Sequence, residues 1–194
     1  MTDKPFSQAC ENNKGPILEV LAQAFASRKH VLEVGSGTGQ HAVYLAANLP
    51  HLIWQTSDQA EYHPGIQAWL DDENVLNCKP PLTLKIGEQA IPDKLFDGIF
   101  TANTAHIMQR DEVKLMMRQV SDVLPPTGVF CQYGPFTENG EFSSQSNADF
   151  HASLLERGCG GYRDISELTR WATKLSLQSV HRMPANNLCL VWTK

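Results

Sequence analysis

The chain alternates between short apolar runs and apolar stripes that repeat every three or four residues. The runs predict five strands: Val31–Val34, Leu52–Thr56, Leu82–Ile86, Phe96–Ala102 and Val129–Tyr133. The stripes predict four helices between and before them: Pro16 to about Ala26, the residues after Gly39 to about Asn48, Tyr62–Leu70, and Val113–Leu124. Because strands that alternate with helices build βαβ units, an α/β fold with a parallel sheet is expected.

The last third of the chain has a different pattern. Residues 134–161 are rich in Gly, Ser and Asn, with one short helix near Ala148–Leu155. A capping-box-like start at Asp164 predicts a helix to about Leu175. Leu177–Met183 and Leu188–Thr193 predict two strands, and their short connection favours antiparallel pairing.

These elements predict one doubly wound, Rossmann-like α/β domain over residues 1–194. We expect a mostly parallel sheet of about seven strands that ends in a C-terminal antiparallel hairpin. An N-terminal segment and helix are expected at 1–27, and a lid-like insertion at 134–163.

Three glycines at alternate positions, Gly35, Gly37 and Gly39, separate the first strand from the following helix. Such a turn lets the backbone approach a ligand closely, and the helix N-terminus offers unpaired N–H groups. Dinucleotide-binding turns instead read G-x-G-x-x-G and hold a pyrophosphate, which Glu33 would repel. The pattern therefore favours a ligand with positive charge over NAD, although an ordinary glycine-rich turn is the alternative.

The segment Glu33–Gly39, with the form E-x-G-x-G-x-G, resembles the first motif of class I S-adenosylmethionine (SAM)-dependent methyltransferases. The resemblance implies SAM as the cofactor, with its methionine part over the turn and its amino group near Glu33. The residues implied to contact SAM through this turn are Glu33, Gly35, Ser36, Gly37, Thr38 and Gly39.

Asp58 ends the second predicted strand, about twenty residues beyond the turn. An acid at this place in a doubly wound sheet accepts hydrogen bonds from ribose hydroxyls. The resemblance gives Asp58 this role and places Gln59 beside the adenine. A plain capping role is the alternative for Asp58.

Three weaker signals follow the third and fourth strands. Glu88 either accepts a hydrogen bond from the adenine amino group or is a solvated loop charge. Asn103 is expected to contact SAM, whereas His106 is either a substrate-side group or a histidine packed on the next helix. The chain lacks the Asn/Asp-Pro-Pro-aromatic motif of base amine methyltransferases and the Pro-Cys pair of cytosine C5 methyltransferases, so both chemistries are disfavoured.

Three further segments resemble a family of short, functionally uncharacterised methyltransferase-like proteins: Phe6–Lys14, Ser146–Phe150 and Met183–Leu188. Their polar side chains either serve ordinary turns or converge on the mouth of the SAM cleft. Under the second reading Lys14 pairs with the SAM carboxylate. The candidate substrate-binding residues are then Asn12, Asn147, Asn186 and Asn187.

The leading functional hypothesis is methyl transfer from SAM to a small molecule. An oxygen or nitrogen nucleophile needs alignment and can need a base, for which the candidates are His106, Tyr133 and Asp149. The alternative is a SAM-binding sensor or partner subunit without transferase activity. An NAD-dependent oxidoreductase is a third hypothesis, which the glycine spacing and Glu33 disfavour.

Composition narrows the remaining classes. A net charge of −5 without a basic cluster disfavours nucleic acid as partner, and no apolar run approaches a membrane span. The start Met1–Pro5 lacks the apolar region of a signal peptide. Five cysteines without a C-x-x-C pair favour a reducing cytoplasm, and no metal site is expected. Oligomeric state is left open.

Overall fold

The computed structural model describes residues 4–93 and 95–194. Its main sheet has seven strands in the order β3-β2-β1-β4-β5-β9-β8. These strands are β1 (His30–Glu33), β2 (Ile53–Asp58), β3 (Cys78–Thr83), β4 (Gly98–Ala102), β5 (Val129–Gly134), β8 (Ser176–Met183) and β9 (Asn187–Thr193). A separate parallel pair is formed by β6 (Phe136–Thr137) and β7 (Arg163–Asp164).

The described residues form six α-helices. They are α1 (Gln8–Ala24), α2 (Gln40–Asn48), α3 (His63–Glu73), α4 (Arg110–Val123), α5 (Gln145–Glu156) and α6 (Ile165–Trp171). One apolar core joins α1, α2 and α3 to the sheet, and a second joins α4 and α6 to its other face. Successive side chains of β5 point to opposite faces of the sheet, since Cys131 belongs to the first core and Phe130 to the second.

The strand pairing confirms the predicted Rossmann-like fold. Strands β3, β2, β1, β4 and β5 pair in parallel, whereas β9 is antiparallel to both β5 and β8. A single 3-10 turn, Pro184–Asn186, joins the last two strands as a tight connection. The mostly parallel sheet therefore ends in the expected antiparallel pair.

The predicted third strand, Leu82–Ile86, is wrong. The strand instead covers Cys78–Thr83 and includes both Pro80 and Pro81. It lies at the sheet edge beside β2, and its register with β2 shifts at this point. An edge strand with an irregularity tolerates proline, because the missing N–H groups cost few ladder hydrogen bonds. Leu84 and Ile86 are consequently buried in the loop after the strand.

The first helix starts earlier than predicted. Ser7 caps it by accepting a hydrogen bond on Oγ from the Cys10 amide, so Pro16 lies within the helix and not at its start. At the other end of the chain, α6 ends at Trp171, short of the predicted Leu175. The first three residues of the predicted N-terminal segment lie outside the described residues. Within the described ranges, no helix combines the length and apolar character that crossing a membrane requires.

Candidate functional site

A cavity of about 1140 Å³ lies at the carboxyl ends of the parallel strands. It extends from the glycine turn after β1, past the ends of β2, β4 and β5, to helix α5. This is the edge at which doubly wound sheets bind ligands, because the strand ends and helix N-termini meet there. The cavity is therefore the candidate functional site.

The three glycines of the turn all have left-handed backbone angles, with φ of +75° at Gly35, +57° at Gly37 and +92° at Gly39. A Cβ at Gly35 would lie 2.6 Å from Thr104 Cγ2, and one at Gly39 would lie 3.0 Å from the Cα of Ile66. At Gly37 nothing lies within 4 Å, since this position faces the cavity. Gly35 and Gly39 thus permit close packing around the turn, and Gly37 leaves space for a ligand.

Asp58 at the end of β2 is bound to the same turn. Its Oδ2 accepts a hydrogen bond of 2.8 Å from the Gly37 amide, and its Oδ1 accepts one of 2.7 Å from the Gln59 amide. Burial raises the pKa of the Asp58 carboxyl, and the two amides oppose that rise. The carboxylate is held in place while it borders the cavity.

Glu33 lies beneath the turn and does not border the cavity. Its Oε2 accepts hydrogen bonds from Ser36 Oγ at 2.8 Å and from Trp54 Nε1 at 3.2 Å. The side chain is almost fully buried, and burial raises its pKa to about 7 despite these two donors. In this structure Glu33 supports the turn from behind.

Most of the residues singled out from the sequence border this one cavity. Those from the predicted SAM set are Gly35, Ser36, Gly37, Thr38, Asp58, Gln59 and Asn103. Those from the predicted substrate and catalytic sets are Asn12, Asn147, Asn187, His106 and Tyr133. The residues that do not border it are Glu33, Gly39, Lys14, Glu88, Asn186 and Asp149.

Several of the residues outside the cavity have partners elsewhere. Lys14 Nζ lies 2.6 Å from Glu11 Oε2, and Glu88 Oε1 lies 2.5 Å from Lys85 Nζ. Asp149 is exposed on α5, where its Oδ1 accepts a hydrogen bond from Gln145 four residues earlier. Asn186 is linked to the cavity through Asn147, whose side chain donates a 3.3 Å hydrogen bond to the Asn186 backbone carbonyl.

A buried polar network links α1 and α2 to the ends of β5 and β9. His41 Nε2 lies 2.6 Å from Asn13 Oδ1, and Asn13 lies near enough to the Tyr133 hydroxyl to oppose the rise that burial causes in its pKa. Asn187 Nδ2 donates a 3.0 Å hydrogen bond to the same hydroxyl. Burial lowers the pKa of His41 to about 4, so its ring is neutral. All four side chains border the cavity.

The far wall of the cavity is built from α5 and the segment after it. Phe150 and Arg157 come from this helix and its end, and Tyr162 follows a glycine pair. His106 faces them, with its ring centroid 5.9 Å from that of Phe150. Burial lowers the pKa of His106 to about 4, and the nearby Arg157 charge adds to this effect.

Sequence reasoning missed several of these residues. Asn13 lies in a segment that the sequence singled out, and His41 lies two residues after Gly39 of the glycine turn, so both had a local signal. Arg157 and Tyr162 had none, because their place depends on how the chain between them folds. Gly160 and Gly161 donate backbone hydrogen bonds to the carbonyls of Ile107 and His106, which docks this segment against the site.

Within the part of the chain that the structure describes, no three His, Cys, Asp or Glu side chains are grouped so that they could hold a metal ion.

The fold is shared with solved methyltransferases of low sequence identity. A putative O-methyltransferase from Nostoc punctiforme PCC 73102 matches with a TM-score of 0.78 at 14% identity, over 93% of this chain and 55% of that one. An O-methyltransferase family 2 protein from Planctomyces limnophilus DSM 3776, in complex with apigenin, matches with a TM-score of 0.76 at 15% identity, over 95% and 62%. Human N-acetylserotonin methyltransferase in complex with SAM matches with a TM-score of 0.75 at 11% identity, over 93% and 54%.

These matches define the fold as that of the class I SAM-dependent methyltransferases. The chain spans a little over half the length of each of these three proteins. Within this fold class, the chain belongs to the family described as "protein of unknown function (DUF938)", whose model matches residues 4–194.

Proposed function

We propose that the protein is a SAM-dependent methyltransferase that acts on a small molecule. The observation that carries this proposal is the continuity of one cavity from the Gly37–Asp58 contact to His106 and Tyr133. Its volume of about 1140 Å³ exceeds the ~300–1000 Å³ typical of single-ligand pockets. A cofactor and an acceptor can therefore lie side by side in it.

The half of the cavity beside the glycine turn fits the cofactor. The open space at Gly37 admits a ligand against the backbone, and the fixed Asp58 carboxylate is placed to accept hydrogen bonds from two ribose hydroxyls. Leu84 and Ile86 border this end and offer apolar surface to an adenine ring. Asn103 lies at the end of β4, between this half and the far wall.

Other residues of the predicted SAM set act on the turn and not on the ligand. Glu33 anchors Ser36 from beneath, and Gly39 permits close packing of α2 against Ile66 of α3. Lys14 and Glu88 have their charges paired outside the cavity. Their contribution to SAM binding is therefore expected to be small.

The other half of the cavity is assigned to the acceptor. When bound, SAM supplies an electrophilic methyl group, so the protein must mainly hold the acceptor nucleophile in line. Such alignment contributes on the order of 7–11 kcal/mol to catalysis. His106 is neutral and borders the acceptor half, so it is the proposed base for a proton on the nucleophile, with an effect of about 10²–10⁴-fold.

Calorimetry tests the cofactor assignment. SAM and S-adenosylhomocysteine (SAH) are expected to bind the purified protein, whereas NAD is not, and Asp58→Ala is expected to weaken SAH binding by about 10–100-fold. Tight NAD binding without SAM binding would overturn the proposal. A screen of small metabolites for SAH release, at a SAM concentration that saturates the unchanged protein but not the Asp58→Ala control, then tests transfer itself. SAH binding without turnover of any metabolite would support the alternative of a SAM-binding sensor or partner subunit.

A further inference from the structure

The acceptor half of the cavity is lined by aromatic rings. Phe150 has its ring centroid 5.9 Å from His106 and 6.2 Å from Tyr162, and the ring pairs meet at steep angles. Tyr133 closes the same half from the end of β5. These rings pack against one another and border the cavity, so they offer a flat ligand an aromatic surface on which to stack or meet edge to face.

The Tyr133 hydroxyl is set to donate into the cavity. Asn13 accepts on its Oδ1 from His41 Nε2, so it is not the acceptor for the Tyr133 proton. Asn187 Nδ2 donates to the Tyr133 oxygen and has no lone pair to accept with. Among the described residues no acceptor takes the hydroxyl proton, so Tyr133 offers it to the ligand.

Arg157 brings the positive charge to this half. Its guanidinium lies 5.9 Å from the centroid of the Phe150 ring, and its charge reaches His106. Its Nε donates a 3.2 Å hydrogen bond to the Ser153 carbonyl, and no described carboxylate lies within ion-pair distance of it. A cation at a cavity mouth without a carboxylate partner is available to an anionic ligand.

The carboxylates that border the cavity have other partners. Asp58 accepts from the Gly37 and Gln59 amides at the cofactor end. Glu112 accepts a 2.7 Å hydrogen bond from the Gln109 amide at the start of α4. The acceptor half therefore offers an O–H donor, a cation that no described carboxylate pairs with, and flat apolar walls.

We propose that the methyl acceptor is an aromatic carboxylate, with its ring against the cavity wall that Phe150 and Tyr162 form and its anionic group received by Arg157. This inference rests on the proposed function for the identity of the reaction, but the preference for an anion can be measured without it. A flat ring satisfies the aromatic walls, and an oxygen lone pair satisfies the Tyr133 donor. A carboxylate group also gains the attraction of the guanidinium.

The test uses three probes of one shape and different charge: 4-hydroxybenzoate, 4-hydroxybenzamide and 4-hydroxybenzylamine. Each is titrated calorimetrically into the full chain, with and without saturating SAH. We expect the benzoate to bind about tenfold more tightly than the neutral amide, as charge-assisted hydrogen bonds do, and the amine to bind most weakly. The preference for the benzoate is expected to shrink as salt screens the Arg157 charge.

Two substitutions locate the preference. Arg157→Gln is expected to make the benzoate and the amide bind equally, with SAH affinity unchanged within about twofold. Arg118→Gln removes the same charge from an exposed position on α4 outside the cavity and is expected to keep the full preference. Tyr133→Phe is expected to weaken both the benzoate and the amide, since both offer it an oxygen lone pair.

Equal binding of the benzoate and the amide to the unchanged protein would contradict the proposal. So would an unchanged preference in Arg157→Gln, or no binding of any probe at millimolar concentration. Failure of SAH to bind would contradict the proposed function instead. In that case the titrations without SAH still decide whether this half of the cavity prefers an anion.

Discussion

The Gly37 amide donates a 2.8 Å hydrogen bond to Asp58 Oδ2, across 21 residues of sequence. The second oxygen of the same carboxylate accepts from the amide that follows it in the chain. The turn after β1 and the end of β2 therefore form one rigid unit. Because Asp58 both shapes the turn and borders the cavity, its loss is expected to affect ligand binding more than folding.

Replacing Asp58 with Ala is expected to lower SAH affinity by about 10–100-fold, since hydrogen bonds to a charged group contribute roughly 1.5–3 kcal/mol each. Calorimetric titration with SAH measures the change. Asp71→Ala, at an exposed position on α3, is the matched control and is expected to bind SAH as the unchanged protein does. SAH affinity within twofold of normal in Asp58→Ala would remove this residue from the site.

Gly35 and Gly37 are expected to differ when each is replaced with Ala. Both have positive φ, so each Ala costs roughly 1–2 kcal/mol of backbone strain. At Gly35 the new methyl group also meets Thr104 Cγ2 at 2.6 Å, so Gly35→Ala lowers stability more in urea unfolding. At Gly37 the methyl group projects into open space, so Gly37→Ala loses SAH affinity at a smaller cost in stability. Normal SAH affinity in Gly37→Ala would show that no ligand approaches the backbone there.

The fold follows from sequence because its signals are local. An apolar strand, a glycine turn and a helix at Val31–Asn48 predict a βα unit by themselves, and repetition of such units predicts the parallel sheet, as the structure confirms. The wrong third strand has a tertiary cause. Whether Pro80 and Pro81 end a strand depends on its place at the sheet edge, which no local pattern contains.

The acceptor half of the site is harder to predict for the same reason. The contact between Asn13 and Tyr133 requires that α1 start at Ser7 and cross the end of β5, 120 residues away in sequence. The position of Tyr162 depends on the backbone hydrogen bonds by which Gly160 and Gly161 dock this segment against Ile107 and His106. Residue spacing in the sequence predicts neither the Asn13–Tyr133 contact nor the position of Tyr162. It does predict that Asp58 lies at the end of its strand.

Glu33 is expected to make stability depend on pH. Its raised pKa, about 7, means that the folded protein keeps this proton to higher pH than the unfolded chain does. The stabilisation that protonated Glu33 provides is therefore complete below the ordinary pKa of a glutamate, and it is lost as the pH rises through 7. Between about pH 6.5 and 8 the expected loss is about 1 kcal/mol. The lowered pKa values of His41 and His106 act in the opposite direction, but only below about pH 6.5.

Urea unfolding of Glu33→Gln at the same pH values checks this assignment. The amide cannot ionise. In Glu33→Gln the free energy of unfolding should therefore not show the decrease between about pH 6.5 and 8 that Glu33 causes. A Glu19→Gln variant changes an exposed acid on α1 and should retain the decrease. An identical pH profile in Glu33→Gln and the unchanged protein would contradict the raised pKa.

Asn13 and Asn12 are neighbours on α1, and their substitution is expected to affect stability to different extents. Asn13→Ala leaves the buried His41 Nε2 without its 2.6 Å partner, which is expected to cost about 1–3 kcal/mol of stability. Asn12 is exposed and bonds only to Gln8 on the same helix, so Asn12→Ala should change stability by less than about 0.5 kcal/mol. Urea unfolding of the two variants measures the difference. Equal stabilities would show that the His41 contact does not stabilise the fold.

Gly160 holds the far wall of the cavity against the turn that carries His106. Its amide donates to the Ile107 carbonyl, and a Cβ at this position would lie 1.9 Å from the Met108 carbonyl oxygen. Because the obstacle is backbone, Gly160→Ala must separate the two segments and widen the acceptor half. We expect a stability loss of about 1–3 kcal/mol and weaker binding of 4-hydroxybenzoate, with SAH affinity unchanged within about twofold.

Gly158 supplies the control for this substitution. It lies two residues earlier in the same segment, with φ of +77° and no atom within 4 Å of an added Cβ. Gly158→Ala therefore imposes backbone strain without a collision and should leave both ligand affinities unchanged. If Gly160→Ala weakens SAH and the benzoate equally, the two halves of the cavity do not respond separately. In that case the docked segment supports the whole site and not the acceptor half alone.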